Sequence, residues 1–210
     1  MKTKNWVTLV LINLGAAVLV ISPFLPGPPT SIVQIFYNSG QIIGLLGFFL
    51  VPAGLIWTIK EFKRKRNDEN YKVDFKAVAL LTLPLTIFIS SFYASRIAID
   101  FSRTYAIKRS SDLIEAIEKF KLTKGRYPDS LTELNPEFIP KIPSPFVMGI
   151  QDYYYETKEN TYNISFEQNV VLSFNFEVVT FDPTDNQKAD GKLQEIYDTG
   201  EKHWKYYIYD

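Results

Sequence analysis

Residues 77–95 read AVALLTLPLTIFISSFYAS, nineteen positions without a charge. That is about the 20 apolar residues a helix needs to cross a hydrocarbon core about 30 Å thick. No turn signal follows it. Apolar residues instead recur at helical spacing through Ile97, Phe101 and Tyr105, then Leu113, Ile117 and Phe120, with charges between them. Gly125 is a natural helix stop. The pattern predicts one helix from about residue 75 to 122, on the order of 70 Å long at 1.5 Å per residue, that leaves a membrane and enters a soluble domain.

Two more apolar stretches precede it, Trp6 to Leu25 and Ile42 to Ile59, the second with a helix beginning as early as Ile32. Pro52 and Pro84 fall inside the second and third. Membrane helices tolerate proline where neighbours or Ser/Thr side chains satisfy the freed carbonyls, and Thr82 and Thr86 flank Pro84 for that purpose. Lys2 and Lys4 resemble the basic start of a signal peptide, but residues 22–29 (SPFLPGPP) offer no small-x-small cleavage site, so the first stretch reads as a retained anchor. The expected organisation is a membrane anchor over residues 1–76, with spans at about 6–25 and 32–59 and a basic loop at 60–76. A second part, 77–210, then begins with the third span at about 77–95.

The 210 residues carry 23 basic and 23 acidic side chains, 46% hydrophobic residues and no cysteine. That is too apolar for a disordered chain and too neutral for a generic nucleic-acid binder, so no nucleic-acid partner is expected. The balance hides an asymmetry: residues 1–99 hold ten Lys/Arg against four Asp/Glu, and residues 100–210 hold thirteen against nineteen. Lys60, Lys63, Arg64, Lys65, Arg66, Lys72 and Lys76 crowd the loop between the second and third spans, whereas residues 27–41 are uncharged. The positive-inside rule then puts the amino terminus and the basic loop in the cytoplasm and everything after Ser95 outside it. The basic run is also a contact for anionic lipid headgroups. No Asp, Glu or Arg lies within the three spans, which disfavours an ion or proton pathway. Gln34, Asn38 and Gln41 fall near one face of the second helix, as an interhelical polar contact or as interfacial residues.

Downstream of Gly125 comes a loop containing Pro128, Pro136, Pro140, Pro143 and Pro145, after which the period changes to two. Strands are predicted at 153–155 and 162–166, then from Val170 to Phe181 with Leu172, Phe174, Phe176 and Val178 on one face against Ser173, Asn175 and Glu177. Residues 193–197 and 204–209 form a last hairpin. A long helix packed on an antiparallel meander is an α+β domain.

Ile114-Glu115-Ala116-Ile117-Glu118-Lys119-Phe120-Lys121 followed by Gly125-Arg126-Tyr127-Pro128, with Leu131-Thr132-Glu133-Leu134 and Pro140-Lys141-Ile142-Pro143, resembles the major pseudopilin of type II secretion systems. The motif covers about thirty residues, and the element order extends the likeness over roughly 77–210. The resemblance implies a pilin-like fold, a bacterial cytoplasmic (inner) membrane with the domain periplasmic or extracellular, and partners among envelope or membrane proteins. Here, however, the helix starts mid-chain behind two other spans, and no Glu lies between Glu69 and Glu115 to serve as a subunit-docking charge. It therefore does not imply polymerisation.

Calcium is the one metal the resemblance brings, in an acidic loop near the carboxyl end. Asp182, Asp185, Asn186 and Asp190 supply oxygens in a comparable place, and the same residues equally suit a solvated turn. His203 is the single histidine; without cysteine or a second histidine, zinc sites and Cys–His nucleophiles are excluded. No Gly-x-Ser-x-Gly turn or phosphate-cradling glycine loop occurs. Tyr155, Trp204, Tyr206, Tyr207 and Tyr209 load the sheet with aromatics, which serve either as a partner surface or as ordinary strand formers. The sequence thus points to a non-catalytic binding or assembly module that needs no cofactor. The alternative is a membrane-anchored sensor or accessory subunit that binds calcium or a small ligand.

Overall fold

A computed structural model of the chain describes residues 3–158, 160–171, 175–190 and 194–210, and it divides into two units. The first comprises residues 1–22 and 32–96; the second comprises 23–31 and 97–210.

The first unit is helical. Helix α1 spans Thr3–Ile21, α2 Ser31–Phe48, α3 Val51–Asn67 and α4 Phe75–Ile89. The stretch expected as one span over 32–59 holds two helices, α2 and α3, that meet at a 60° bend. The cause is Pro52, which sits in the first turn of α3, where its missing N–H costs nothing. The chain turns just before it, with Phe49 and Leu50 donating to the carbonyls of Leu46 and Gly47. Pro84, by contrast, stays inside α4. The bent pair runs antiparallel along α4. Gly44 meets Ile87 and Phe88, Gly47 meets Pro84, Gly54 meets Leu80 and Leu81, and the Thr58 hydroxyl donates to the Ala77 carbonyl (3.0 Å). Small residues let membrane helix backbones approach. At Gly54 the approach is closest, since a Cβ there would lie 2.7 Å from the Leu81 nitrogen. Helix α1 runs parallel to α4, with Leu9 packed beside Val78 and Asn13 beside Thr82 and Thr86. The two threonines therefore bond Asn13: Thr86 donates to its Oδ1 at 2.7 Å, and Asn13 Nδ2 donates to Thr82 at 3.3 Å.

Helix α4 continues through a π turn at Ser90–Ala94 into α5 (Ser95–Arg109) and, past a turn at Ser110, into α6 (Ser111–Lys124). The whole run, Phe75–Lys124, is 50 residues. Inside the π turn the buried Ser95 hydroxyl donates back to the Ser90 carbonyl at 2.9 Å. At the second irregularity the buried Ser110 hydroxyl takes the Ile107 carbonyl at 2.7 Å. Gly125 ends α6 in the left-handed region (φ 78°), as its position predicted.

In the second unit α6 and part of α5 bury Ala106, Leu113, Ile117 and Phe120 against an antiparallel five-stranded sheet. The strands are β1 (Tyr154–Lys158), β2 (Thr161–Asn169), β3 (Phe176–Phe181), β4 (Tyr197–Asp198) and β5 (Trp204–Tyr209). Their order, β1-β2-β3-β5-β4, departs from a simple meander. The final strand pairs with β3 over six residues and leaves the two-residue β4 at the edge.

The alternation of the third strand names the buried face only in the structure: Glu177, Val179 and Phe181 point to the helix, and Val178 and Thr180 to the other face. Glu177 is drawn inward by buried partners described below. Leu172, Ser173 and Phe174, expected in that strand, lie outside the described residues, as does Leu193 of the last hairpin.

Residues 23–31 were expected to hold the end of the first span, to about Leu25, and the start of an uncharged loop at Gly27. They belong to the second unit: Gly27 N–H donates to the Phe146 carbonyl (3.0 Å), Met148 N–H to Leu25 (3.0 Å), Thr30 N–H to Met148 (3.0 Å) and Gly149 N–H to Pro23 (2.7 Å). These bonds satisfy backbone groups that the irregular segment around 146–149 would otherwise leave open.

Candidate functional site

The sheet has two faces with different chemistry. On the helix-facing side Arg103 of α5 forms a fork with Glu177, Nε to Oε1 at 2.6 Å and Nη2 to Oε2 at 2.7 Å. The Glu177 side chain is 2% exposed and that of Arg103 10%. Gln168 Nε2 donates to Glu177 at 2.7 Å, and its Oε1 accepts from the buried Ser102 hydroxyl. Nη1 of Arg103 reaches Asp100 at 2.8 Å, and the guanidinium lies 4.0 Å from the Tyr206 ring centre. Burial opposes the guanidinium charge, but the Glu177 carboxylate outweighs it and holds Arg103 above its ordinary pKa. Every acceptor of Glu177 is thus occupied by charge or amide. The network offers no free acid or base, and its chemistry is structural.

The turn that follows Gly125 is organised by its own residues. Arg126 donates to Glu133 (2.7 Å), whose other oxygen accepts from the Asp129 N–H (2.7 Å). Arg126 and that N–H hold the Glu133 carboxyl below its usual value. Tyr127 packs on Tyr162, ring centres 4.9 Å apart, and the Pro128 carbonyl accepts from Tyr155. Burial pushes the Tyr155 phenol up to about 12.

The acidic loop is arranged as a turn. Asp182 is 1% exposed and accepts from both the backbone N–H (2.8 Å) and the hydroxyl (2.6 Å) of Thr184. Asp185 pairs with His203 Nδ1 at 2.9 Å, and Asn186 donates to the Thr184 hydroxyl. The Asp190 backbone lies against Tyr207. Among the described residues no three His, Cys, Asp or Glu side chains gather as metal ligands would.

The five aromatics do not form one surface. Trp204 is a core residue packed on Phe166 and Phe181. Tyr206 lies partly buried on the helix side under Arg103, Tyr155 partly buried in the core, and Tyr207 is 9% exposed on the opposite face. Tyr209 is 36% exposed and stacks on Phe176.

That opposite face holds a cavity of about 490 Å³ within the second unit. Its floor is a row across three strands, Tyr154 opposite Ser165 and Ser165 opposite Thr180, with Val178 and Tyr207 beside it. The loop residues Asn186, Gln187 and Lys188 wall it. Sequence reading missed this cavity because its floor residues alternate with the core positions, and only the phase of β3 reveals which set faces out.

Sequence reading also missed Glu61. It lies in the basic segment yet is 1% exposed, accepting from the Tyr71 hydroxyl (2.8 Å), the Asp74 N–H (2.9 Å) and Arg64 (3.2 Å). The Asp74 N–H and the Tyr71 hydroxyl draw its carboxyl below the ordinary value. This fixes the turn into α4, whose first N–H groups are capped by Asp74.

No family model, curated protein or solved structure matches the chain. Fold and site define an α+β protein with helices long and apolar enough to cross a membrane.

Proposed function

We propose that the chain is a three-span protein of a bacterial cytoplasmic membrane that carries a pilin-like α+β domain outside the cytoplasm as a non-catalytic binding or assembly module. The observation that carries this reading is the 50-residue helix, apolar through its first half and built into the domain core through its second. Connectivity supports the span count. The chain enters the second unit at Pro23 after α1 and again at Ile97 along the helix begun by α4, a connectivity that supports a return span between Ser31 and Phe75. The bent α2–α3 pair, running antiparallel along α4, is the segment available for that return. On this reading the basic residues 60–66 belong to the cytoplasmic side, as the charge rule asks.

The reading has a direct test in a chain without native cysteine. In intact cells (spheroplasts, if there is an outer membrane), Lys202→Cys reacts with an impermeant maleimide, whereas Lys63→Cys reacts only after lysis. The reverse pattern overturns the orientation. In-membrane crosslinking of the full chain, beside one truncated after Ser95, tests the binding role, with partners expected only for the full chain. A second reading, a membrane-anchored sensor of a small ligand, is favoured by the outer-face cavity.

A further inference from the structure

We infer that the outer face of the sheet is a binding site for a neutral sugar, an inference that deepens the binding-module reading and rests on it. The cavity floor is made of hydroxyls. Thr180 and Ser165, directly across the ladder, turn hydroxyls toward it that have no protein partner among the described residues, and in its wall the buried Oε1 of Gln187 has none either. Strand alternation puts both hydroxyls on the side away from the helix, since their neighbours Ile164, Phe166, Val179 and Phe181 fill the core. A buried amide oxygen left unpaired costs about 1–3 kcal/mol, so an occupant that donates to Gln187 and exchanges hydrogen bonds with the two hydroxyls relieves a real penalty. Water does this in part; a polyhydroxyl ligand does it with fixed geometry.

The remaining walls narrow the class. Tyr154, 53% exposed, ends the row and offers a ring on which a sugar's C–H face can lie. Across the mouth Lys188 supplies a donor. Lys158 is engaged: with its amide turned so that Nδ2 donates to the Tyr162 carbonyl, Asn163 accepts from Lys158 Nζ at 2.8 Å. Glu156 lines the same cavity, so it is not a cationic trap for phosphate or carboxylate, and among the described residues no arginine lines it. Among the described residues the apolar lining is Val178 and the tyrosine rings, too little for a lipid tail or a hydrophobic metabolite. Among the described residues, adjacent hydroxyls, one open aromatic ring, an amide and a single free ammonium match the alternating donors and acceptors of a hexose or N-acetylhexosamine. The volume of about 490 Å³ is within the usual range for small-ligand sites.

The test uses the full chain in lauryldimethylamine oxide micelles, because glycoside detergents would present competing sugar headgroups. Saturation-transfer NMR is run with glucose, N-acetylglucosamine and its β-linked disaccharide, at up to about 20 mM to reach the millimolar affinities usual for weak ligands. Inorganic phosphate serves as an anion probe. At least one sugar is expected to bind, with affinity falling about tenfold in Thr180→Val, which removes one hydroxyl at constant shape. Binding should vanish in Ser165→Phe, which fills the floor. An unchanged melting temperature in Thr180→Val shows that the loss is local. No transfer to any sugar, sugar binding indifferent to both substitutions, or binding of phosphate instead would overturn the inference. The binding-module reading stands or falls separately on the membrane crosslinking, which does not involve these probes.

Discussion

Replacing Arg103 by methionine is expected to destabilise the α+β unit more than any other single change to a charged residue. The substitution removes the fork of 2.6 and 2.7 Å bonds and leaves the Glu177 carboxylate, 2% exposed, with only the Gln168 amide as partner. Breaking a buried ion pair on one side costs about 3–5 kcal/mol, because the remaining charge stays desolvated. For a unit of about 120 residues each kcal/mol moves the midpoint by roughly 3–5 °C, so a fall of about 10 °C or more is expected. The readout is Trp204 fluorescence in full-length protein carrying Trp6→Phe and Trp57→Phe. Trp204 is then the single tryptophan, packed 5.4 Å from Phe181 on the strand that bears Glu177. Removing both charges in Arg103→Met/Glu177→Leu relieves the stranded carboxylate, and the double variant should melt above Arg103→Met alone. A fall of less than about 3 °C for Arg103→Met, or a double variant that simply adds the two losses, would refute the reasoning.

Gly54→Leu forces atoms into a space where even a Cβ meets the Leu81 backbone at 2.7 Å, and it should lose about 1–3 kcal/mol of helix packing, read by steric-trap or SDS unfolding of the membrane unit. Asn13→Leu deletes the bonds to Thr82 and Thr86; its expected cost is about 0.6–1.7 kcal/mol by the same assay. Glu133 has a folded pKa below its unfolded value, so its contribution is full above about pH 4.5 and is lost as pH falls through the lower folded value. Melting curves below pH 4.5 should therefore steepen their decline in the parent relative to Glu133→Gln, and parallel curves would contradict the Arg126–Glu133 assignment.

The elements most legible in the sequence are those that local pattern determines. The run from the uncharged 77–95 through Phe120 to Gly125 specified the long helix and its stop, and alternation located the ends of β2 and β5 to within a few residues. The phase of β3 was not legible, because alternation gives two faces without naming the buried one. Here the polar Glu177 goes inward to meet Arg103 and Gln168, whose inward direction is set by elements 74 and 9 residues away. Glu61 escaped notice for a similar reason: within a run of lysines and arginines it reads as a solvated carboxylate, and only the returning Tyr71 and Asp74 bury it. Pro52 was visible, but whether a proline kinks a membrane helix or is absorbed, as Pro84 is, depends on the surrounding packing. The five aromatics were correctly placed on strands, yet spacing alone did not distinguish the core Trp204 from the exposed Tyr209.

The backbone bonds between residues 23–31 and 146–149 also set an order of events during synthesis. The first partner emerges from the ribosome more than a hundred residues before the second. Until residue 149 has been translated, the early segment lacks its partners for these bonds. The α+β unit therefore cannot close as its chain appears; it closes around a piece delivered at the start, and a version begun at residue 97 lacks a part of its own fold.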